Sequence, residues 1–197
     1  MKRCEWCLGS ELYIKYHDEE WGKPIYDDQI HFEFMVLESA QAGLSWSTIL
    51  NKRENYKIAY DNFNPEIVKE YDEKKIEELI NNKGIVRNRK KIESSINNAK
   101  VFIEIQKEFG SFTNYIWGFT DFKPVINSWT NLKELPAKTE LSQRIAKDLK
   151  KRGCKFLGPT IIYSHLQATG IVNDHLVNCL RYNEVQKYYK SKKEISK

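Results

Sequence analysis

The sequence predicts an all-α fold, and three observations carry that prediction. Between Asp27 and Phe109 the apolar residues recur at helical spacing, with little of the alternation that marks strands. Capping residues or proline stand ahead of these runs, and glycine stands just beyond several of them. Each helix can then be placed in order. Asp27 serves as N-cap of a helix running to Ala42, which Gly43 ends. Ser45 caps a second that continues to Tyr60. Asn64-Pro65 puts proline at the first position of a short third helix, and Asp72 opens a fourth that reaches Asn82 before Gly84. From Arg87 onward Ile92, Ile96, Ala99, Ile103 and Phe109 fall close to one stripe, which makes this the longest helix and a central packing element. The stretch from Gly118 to Pro136 has two prolines and no clear period, and reads as a connecting loop with one turn of helix at most. A helix follows from Thr139 to about Arg152, then a tight turn, then a helix through Ala168 that stops at Gly170. The last eleven residues, 187–197, hold five lysines and little apolar matter, and read as a basic, frayed tail.

The 197 residues suffice for one sizeable core or for two small lobes sharing a cleft. Hydrophobic residues at 41% and charged residues at 30% are ordinary for a globular chain, whereas 13% aromatic is rich enough to suggest a stacking surface. A net charge of +5 permits phosphate contacts without demanding them. No run of about 18 apolar residues could span a membrane, and the charged first thirty residues lack a signal-peptide core, so a cytoplasmic protein is expected. Four cysteines in such a chain suit free thiols or metal ligands better than disulfides.

Three groups of residues carry chemistry. The first is an aromatic run, Trp6, Tyr13, Tyr16, Trp21, Phe32, Phe34 and Trp46, with Glu38 among it. Flat π-faces beside one carboxylate suit a planar, electron-poor base, although a Trp-rich core wall would look the same. Glu38 shares a helix face with Phe34, Met35, Leu37 and Gln41, close to the C-terminal end where the helix dipole disfavours negative charge. A carboxylate there calls for a partner, either Arg53 or a ligand. The second group is His175 and Cys179, four apart and on one face if helical, which with Cys4 and His17 could complete a two-Cys, two-His site. Cys7 competes, since Cys4-x-x-Cys7 could itself supply a ligand pair. The third is the glycine-bounded turn Gly153-Cys154-Lys155-Phe156-Leu157-Gly158-Pro159-Thr160 between two helices, flanked by Lys147, Lys150, Lys151 and Arg152. Backbone N–H groups at such a helix start can hold a phosphate, and a plain αα-turn with solvated lysines is the alternative.

The segment Leu149 to Ala168 resembles the helix-hairpin-helix of DNA repair glycosylases. The whole chain resembles one family, 3-methyladenine DNA glycosylase I, through Arg3-Cys4-Glu5-Trp6, Tyr13-Ile14-Lys15-Tyr16-His17-Asp18, Glu20-Trp21-Gly22, Leu37-Glu38, Gln41-Ala42-Gly43-Leu44-Ser45-Trp46, Lys52-Arg53-Glu54, Gly84-Ile85-Val86, Lys155-Phe156-Leu157-Gly158-Pro159-Thr160 and Val172-Asn173-Asp174-His175. The resemblance implies a helix-hairpin-helix glycosylase fold, one helical domain over residues 1–186 with two lobes around a base pocket, and release of 3-methyladenine from alkylated double-stranded DNA. It implies one structural Zn²⁺ on Cys4, His17, His175 and Cys179, joining the two chain ends. It also implies a base-binding, catalytic Glu38 in a pocket of Trp6, Tyr13, Tyr16, Trp21 and Trp46. DNA contacts would come from Gln41, Gly43 and Leu44 as a wedge, and from Gly153, Lys155, Phe156, Gly158 and Thr160 at the hairpin. The superfamily's catalytic aspartate slot reads Asn173, with Asp174 one residue on, and the lysine of lyase-competent members is absent at Pro159-Thr160. A monofunctional, monomeric enzyme without an obligate protein partner is therefore expected. A non-catalytic, zinc-stabilised binder of damaged DNA is the rival.

Overall fold

A computed structural model describes residues 2–195. Its helices are α1 (Glu11–Glu19), α2 (Asp28–Gln41), α3 (Trp46–Leu50), α4 (Arg53–Ala59), α5 (Pro65–Val68), α6 (Glu73–Asn81), α7 (Arg89–Phe109) and α8 (Phe112–Gly118). After β1 (Val125–Ile126) come α9 (Glu140–Lys151), α10 (Pro159–Ala168), β2 (Val172–Asn173), α11 (Arg181–Glu184) and α12 (Lys192–Ile195). Single 3₁₀ turns occupy Glu5–Cys7, Asp61–Phe63, Leu132–Glu134 and Val185–Tyr188.

The caps act as their residue types predict. Asp27 accepts from the N–H groups of Gln29 and Ile30, Asp72 from Lys75, and Ser45 from Thr48. Thr139 and Ser142 form a reciprocal capping box at α9. Helix α7 packs against α2, α5, α6 and α8; of its predicted stripe Ile92, Ile96 and Ala99 lie in the main core and Ile103 is buried, whereas Phe109 at the helix end is exposed. It is the central element the spacing predicts.

Four elements differ from expectation. The helix expected from Ser45 to Tyr60 breaks at Asn51–Lys52, where the Asn51 side chain takes the Ser47 carbonyl (2.8 Å) and Lys52 N–H turns to Ile49 (2.9 Å). A side-chain amide competing with the backbone ends the helix there without glycine or proline. The loop after Gly118 contains β1, paired in parallel with β2 as Val125↔Val172 and Ile126↔Asn173. Two residues show no alternation to detect. The segment carrying His175 and Cys179 is a turn, not a helix, tied by Cys179 N–H to the Leu176 carbonyl (2.8 Å). The tail is not frayed over residues 187–195: Lys190 N–H donates to Tyr26 Oη (2.9 Å), and Ile195 is buried in the main core. One apolar side chain there finds a hydrophobic slot that composition cannot reveal. Residues 196 and 197 of that tail lie outside the described residues. Helices α1 and α8 lie outside the helices the sequence predicts, although Ser10 and Ser111 cap them.

Among the described residues, no helix is long and apolar enough to cross a membrane, and the four cysteines are free.

Candidate active site and metal centre

A cavity of about 210 Å³ opens where α1, α2, the start of α3 and α10 meet. Its lining includes Trp6, Tyr13, Tyr16, Trp21, Glu38 and Trp46, the residues implied for a base pocket, now in one place. Trp6 meets Tyr13 and Trp21 edge to face, at 5.0 Å and 4.9 Å between centroids, and Tyr16 is tilted against Trp46 at 5.6 Å. Such contacts fix the ring planes along the cavity wall. Sequence reasoning missed Ser164, Gln167 and Ala168, which share one face of α10 at helical spacing, and Leu135 from the loop. Three positions at i, i+3 and i+4 are the only signal, and they look like any buried helix face.

Glu38 is 2% exposed. Burial pushes its carboxyl well above the usual range. Its partner is not Arg53, which is engaged by Glu33 (2.7 Å) and Glu20 (2.6 Å). Instead Glu38 Oε2 lies 2.9 Å from His165 Nδ1, and His165 Nε2 lies 3.1 Å from His31 Nδ1. Burial lowers both imidazoles to about 3, so both are neutral. Tyr16 is pushed well above its ordinary value by burial and by the Glu38 charge, so its hydroxyl keeps its proton.

The helix that bears Glu38 ends in a turn facing the same opening. Gly43 takes φ +82°, and Leu44 N–H donates back to the Gln41 carbonyl (2.6 Å). Leu44 is 42% exposed rather than packed in the core, and Gln41 lines the cavity. Lys91 of α7 holds this turn, donating to the carbonyls of Ala40 (2.8 Å) and Ala42 (2.6 Å), two acceptors a helix end leaves unpaired.

The turn between α9 and α10 is strapped to α7. Asn98 Oδ1 accepts from Lys155 N–H (2.8 Å) while its Nδ2 donates to the Lys155 carbonyl (2.9 Å), and Asn97 Nδ2 donates to the Gly153 carbonyl (2.8 Å). Phe156 sits at φ +58° with 42% of its surface exposed. A side chain held in the left-handed region at a loop tip is unfavourable by about 1 kcal/mol and marks a shape set by more than local preference. Pro159 begins α10, so Thr160 and Ile161 present N–H groups at the turn.

Neither Asn173 nor Asp174 offers a free side chain. Asn173 is buried, donating to the Tyr182 carbonyl (3.0 Å) and accepting from His175 N–H (3.2 Å). Asp174 accepts from Asn127 (2.6 Å), Trp129 (2.7 Å), Gln167 (2.7 Å) and Tyr163. It is a structural knot joining the loop to α10.

Directly beneath the aromatic wall, Cys4, His17, His175 and Cys179 place their ligand atoms within 4.8 Å of one another, all buried. Cys179 Sγ lies 3.4 Å from His17 Nε2 and 3.6 Å from His175 Nδ1, and Cys4 Sγ lies 3.9 Å from His175 Nδ1. A tetrahedral Zn²⁺ with ordinary bond lengths sets sulfur and nitrogen ligands about 3.6 Å apart, so the donor set fits such an ion. The outward ring nitrogens are also spoken for: His17 Nδ1 meets Asp18 (2.8 Å) and His175 Nε2 meets the Trp21 carbonyl (3.0 Å). These partners turn the lone pairs of the other nitrogens inward. Cys7 stays outside, donating its S–H to the Cys4 carbonyl (3.0 Å), with burial pushing its thiol up. The two chain ends meet here, where Leu180 N–H donates to the Lys2 carbonyl (2.9 Å).

This geometry has known counterparts. The methyladenine glycosylase family model matches residues 6–182. DNA-3-methyladenine glycosylase 1 of Escherichia coli K12 is 44% identical over 92% of this chain and 97% of its own. The Haemophilus influenzae DNA-3-methyladenine glycosylase is 42% identical over 90% of this chain and 96% of its own. The solved Staphylococcus aureus 3-methyladenine DNA glycosylase I, a structure concerned with recognition of 3-methyladenine, superposes with a TM-score of 0.89 at 36% identity, covering 92% of this chain and 97% of that one. With one family spanning nearly the whole chain, pocket and hairpin included, the protein belongs to the methyladenine glycosylase family.

Proposed function

We propose that the protein hydrolyses the N-glycosidic bond of 3-methyladenine in alkylated duplex DNA, releasing the free base and leaving an abasic site. One observation carries this: a carboxylate buried at the floor of an aromatic cavity, with one oxygen held by His165. Methylation at N3 leaves adenine cationic in DNA, which weakens its glycosidic bond and draws it to π-faces and to a nearby carboxylate. A neutral adenine offers the same pocket no charge to match the cost of burying Glu38.

The chain's own residues divide the work. Hairpin N–H groups at Thr160, the Gly153 and Gly158 turn, Lys155 and Phe156 grip the phosphate backbone, which positions the protein without reading sequence. Gln41 and Leu44, on the turn shaped by Gly43, fill the gap left when the nucleotide rotates out, offsetting an unstacking cost of a few kcal/mol. Trp6, Tyr13, Tyr16, Trp21 and Trp46 enclose the base, and Glu38 accepts hydrogen bonds from its edge. So good a leaving group needs little further help, which fits Asn173 and a fully engaged Asp174 in place of a free general base. Pro159-Thr160 stand where the resemblance places the lysine of lyase-competent enzymes, and on that ground we take the enzyme to be monofunctional. A Zn²⁺ on Cys4, His17, His175 and Cys179 would have all four positions filled by protein and would serve structure, bracing Trp6 and Trp21 from behind. We take the enzyme to work as a cytoplasmic monomer.

Chromatography of bases released from methylated duplex DNA tests this reading. Release of 3-methyladenine with 7-methylguanine left in place is expected. Release of neither by metal-loaded, DNA-binding protein would establish the non-catalytic binder instead.

A further inference from the structure

Glu38, His165 and His31 form a buried hydrogen-bonded chain that ends at an atom without a partner. Glu38 Oε2 meets His165 Nδ1 at 2.9 Å, His165 Nε2 meets His31 Nδ1 at 3.1 Å, and His31 Nε2 is buried with no hydrogen bond. The Ile25 carbonyl accepts from Trp117 Nε1 (3.1 Å) and does not meet hydrogen-bond geometry with His31 Nε2. A neutral imidazole carries one N–H, so the proton on either terminal group sets every other one along the chain. Buried N–H groups are almost never left unpaired, whereas bare acceptors are tolerated more often. That places the proton of His31 on Nδ1, makes His165 Nε2 an acceptor, and leaves His165 Nδ1–H to donate to a Glu38 carboxylate.

From this polarity we propose that His165 and His31 are positioning residues that keep Glu38 ionised and aim its free oxygen, Oε1, into the base cavity. Oε1 has no hydrogen-bond partner among the described residues, and Glu38 lines the cavity. A donor to a carboxylate favours the charged form, so the relay acts against the burial that pushes Glu38 up. Other charged groups on the elements around the pair are engaged elsewhere. Lys91 is held on the Ala40 and Ala42 carbonyls, Arg53 on Glu33 and Glu20, and Asp28 on the N–H groups of Phe112 and Thr113. Asp28 and Asp27 raise His31 only in part against its burial, and Tyr16, which keeps its proton, faces Glu38 from α1. Phe112 and Phe34 pack edge-on against the His165 ring and fix its orientation between its two partners.

The inference rests on the proposed glycosylase reading, and its test separates the two. In metal-loaded, full-length protein, the acid limb of kcat/KM for 3-methyladenine release reports Glu38 ionisation. Replacing His165→Phe keeps a planar ring and removes the donor. The acid limb should move up by about one to two pH units, with activity recovered on the alkaline side, because a hydrogen bond to a charged group contributes about 1.5–3 kcal/mol. His165→Asn, which keeps an amide donor near Nδ1, should restore most of the limb, and His31→Leu should shift it in the same direction by less. An unmoved limb in His165→Phe, or equal loss at every pH, would overturn the proposal. Should His165→Phe fail to fold, ¹⁵N NMR of the wild-type imidazoles decides independently: a protonated Nδ1 on both rings supports the relay, and protonated Nε2 sinks it. If the wild type releases no base, the glycosylase reading fails while the NMR result still judges the relay.

Discussion

At the residue scale Glu38 dominates, because under the proposed function one buried carboxylate must both select a cationic base and survive its own burial. Replacing Glu38→Gln keeps the shape and removes the charge, so base binding should weaken by about ten- to a hundredfold, the cost of a charge-assisted hydrogen bond. Cleavage of bound substrate should fall much less. Titrating free 3-methyladenine by tryptophan fluorescence, beside single-turnover release, separates the two, and a kcat loss of about 10³ or more with unchanged affinity would mean general-base action. The histidine pair has a consequence for stability too. His31 and His165 stay neutral to about pH 3 in the fold, whereas in the unfolded chain each takes up a proton near pH 6.5. Below about pH 6.5 the unfolded state therefore binds more protons, and stability falls by about 1.4 kcal/mol per pH unit for each histidine. Glu38, whose carboxyl is raised, acts in the opposite sense above its ordinary value of 4.5 and offsets part of this. Urea midpoints from pH 7 to pH 4 should thus decline, and the double change His31→Leu with His165→Phe should flatten that decline. Glu38's burial was legible from its stripe, but its partner was not: 127 positions separate it from His165.

At the element scale three turns of the candidate site are each held by a side chain from elsewhere. Lys91 braces the Gln41–Leu44 turn, Asn98 straps the Gly153–Gly158 hairpin to α7, and the His175 ring packs on Gly22. A Cβ at Gly22, which sits at φ +78°, would come within 2.8 Å of His175 Nε2. Gly22→Ala should therefore lower metal retention as well as Tm, read by elemental analysis after gel filtration. Asn98→Ala leaves two hairpin backbone groups unpaired and should weaken duplex binding about tenfold while leaving affinity for free 3-methyladenine unchanged. Fluorescence anisotropy at fixed salt measures the first and base titration the second. Capping residues announced where helices begin because an N-cap acts within three residues of itself. The break at Asn51 and the pairing of β1 with β2 were illegible, since one is a local competition between near-equal hydrogen bonds and the other joins residues 47 positions apart.

At the scale of the whole molecule, the Cys4–His17–His175–Cys179 cluster ties the first twenty residues to the last thirty, and Trp6 and Trp21 pack between it and the cavity. Chelating the ion, or replacing Cys179→Ser, should cost several kcal/mol of stability and loosen the pocket wall, so Tm and base affinity should fall together. Unchanged metal stoichiometry in Cys179→Ser would count against this ligand set. The sequence by itself determined the helical class and most helix starts and, through resemblance, which aromatic residues join Glu38 in the pocket and which cysteines and histidines belong together. Class and helix starts are carried by residue type and by spacing within a few turns, where side chains act on their own backbone. Only the tertiary structure decided that His165 rather than Arg53 meets Glu38, that Leu44 faces outward, that His175 and Cys179 converge from a turn, and that the chain's last described residues pack down. Each of those depends on which distant surfaces meet, and burial energy depends on that meeting and not on order along the chain.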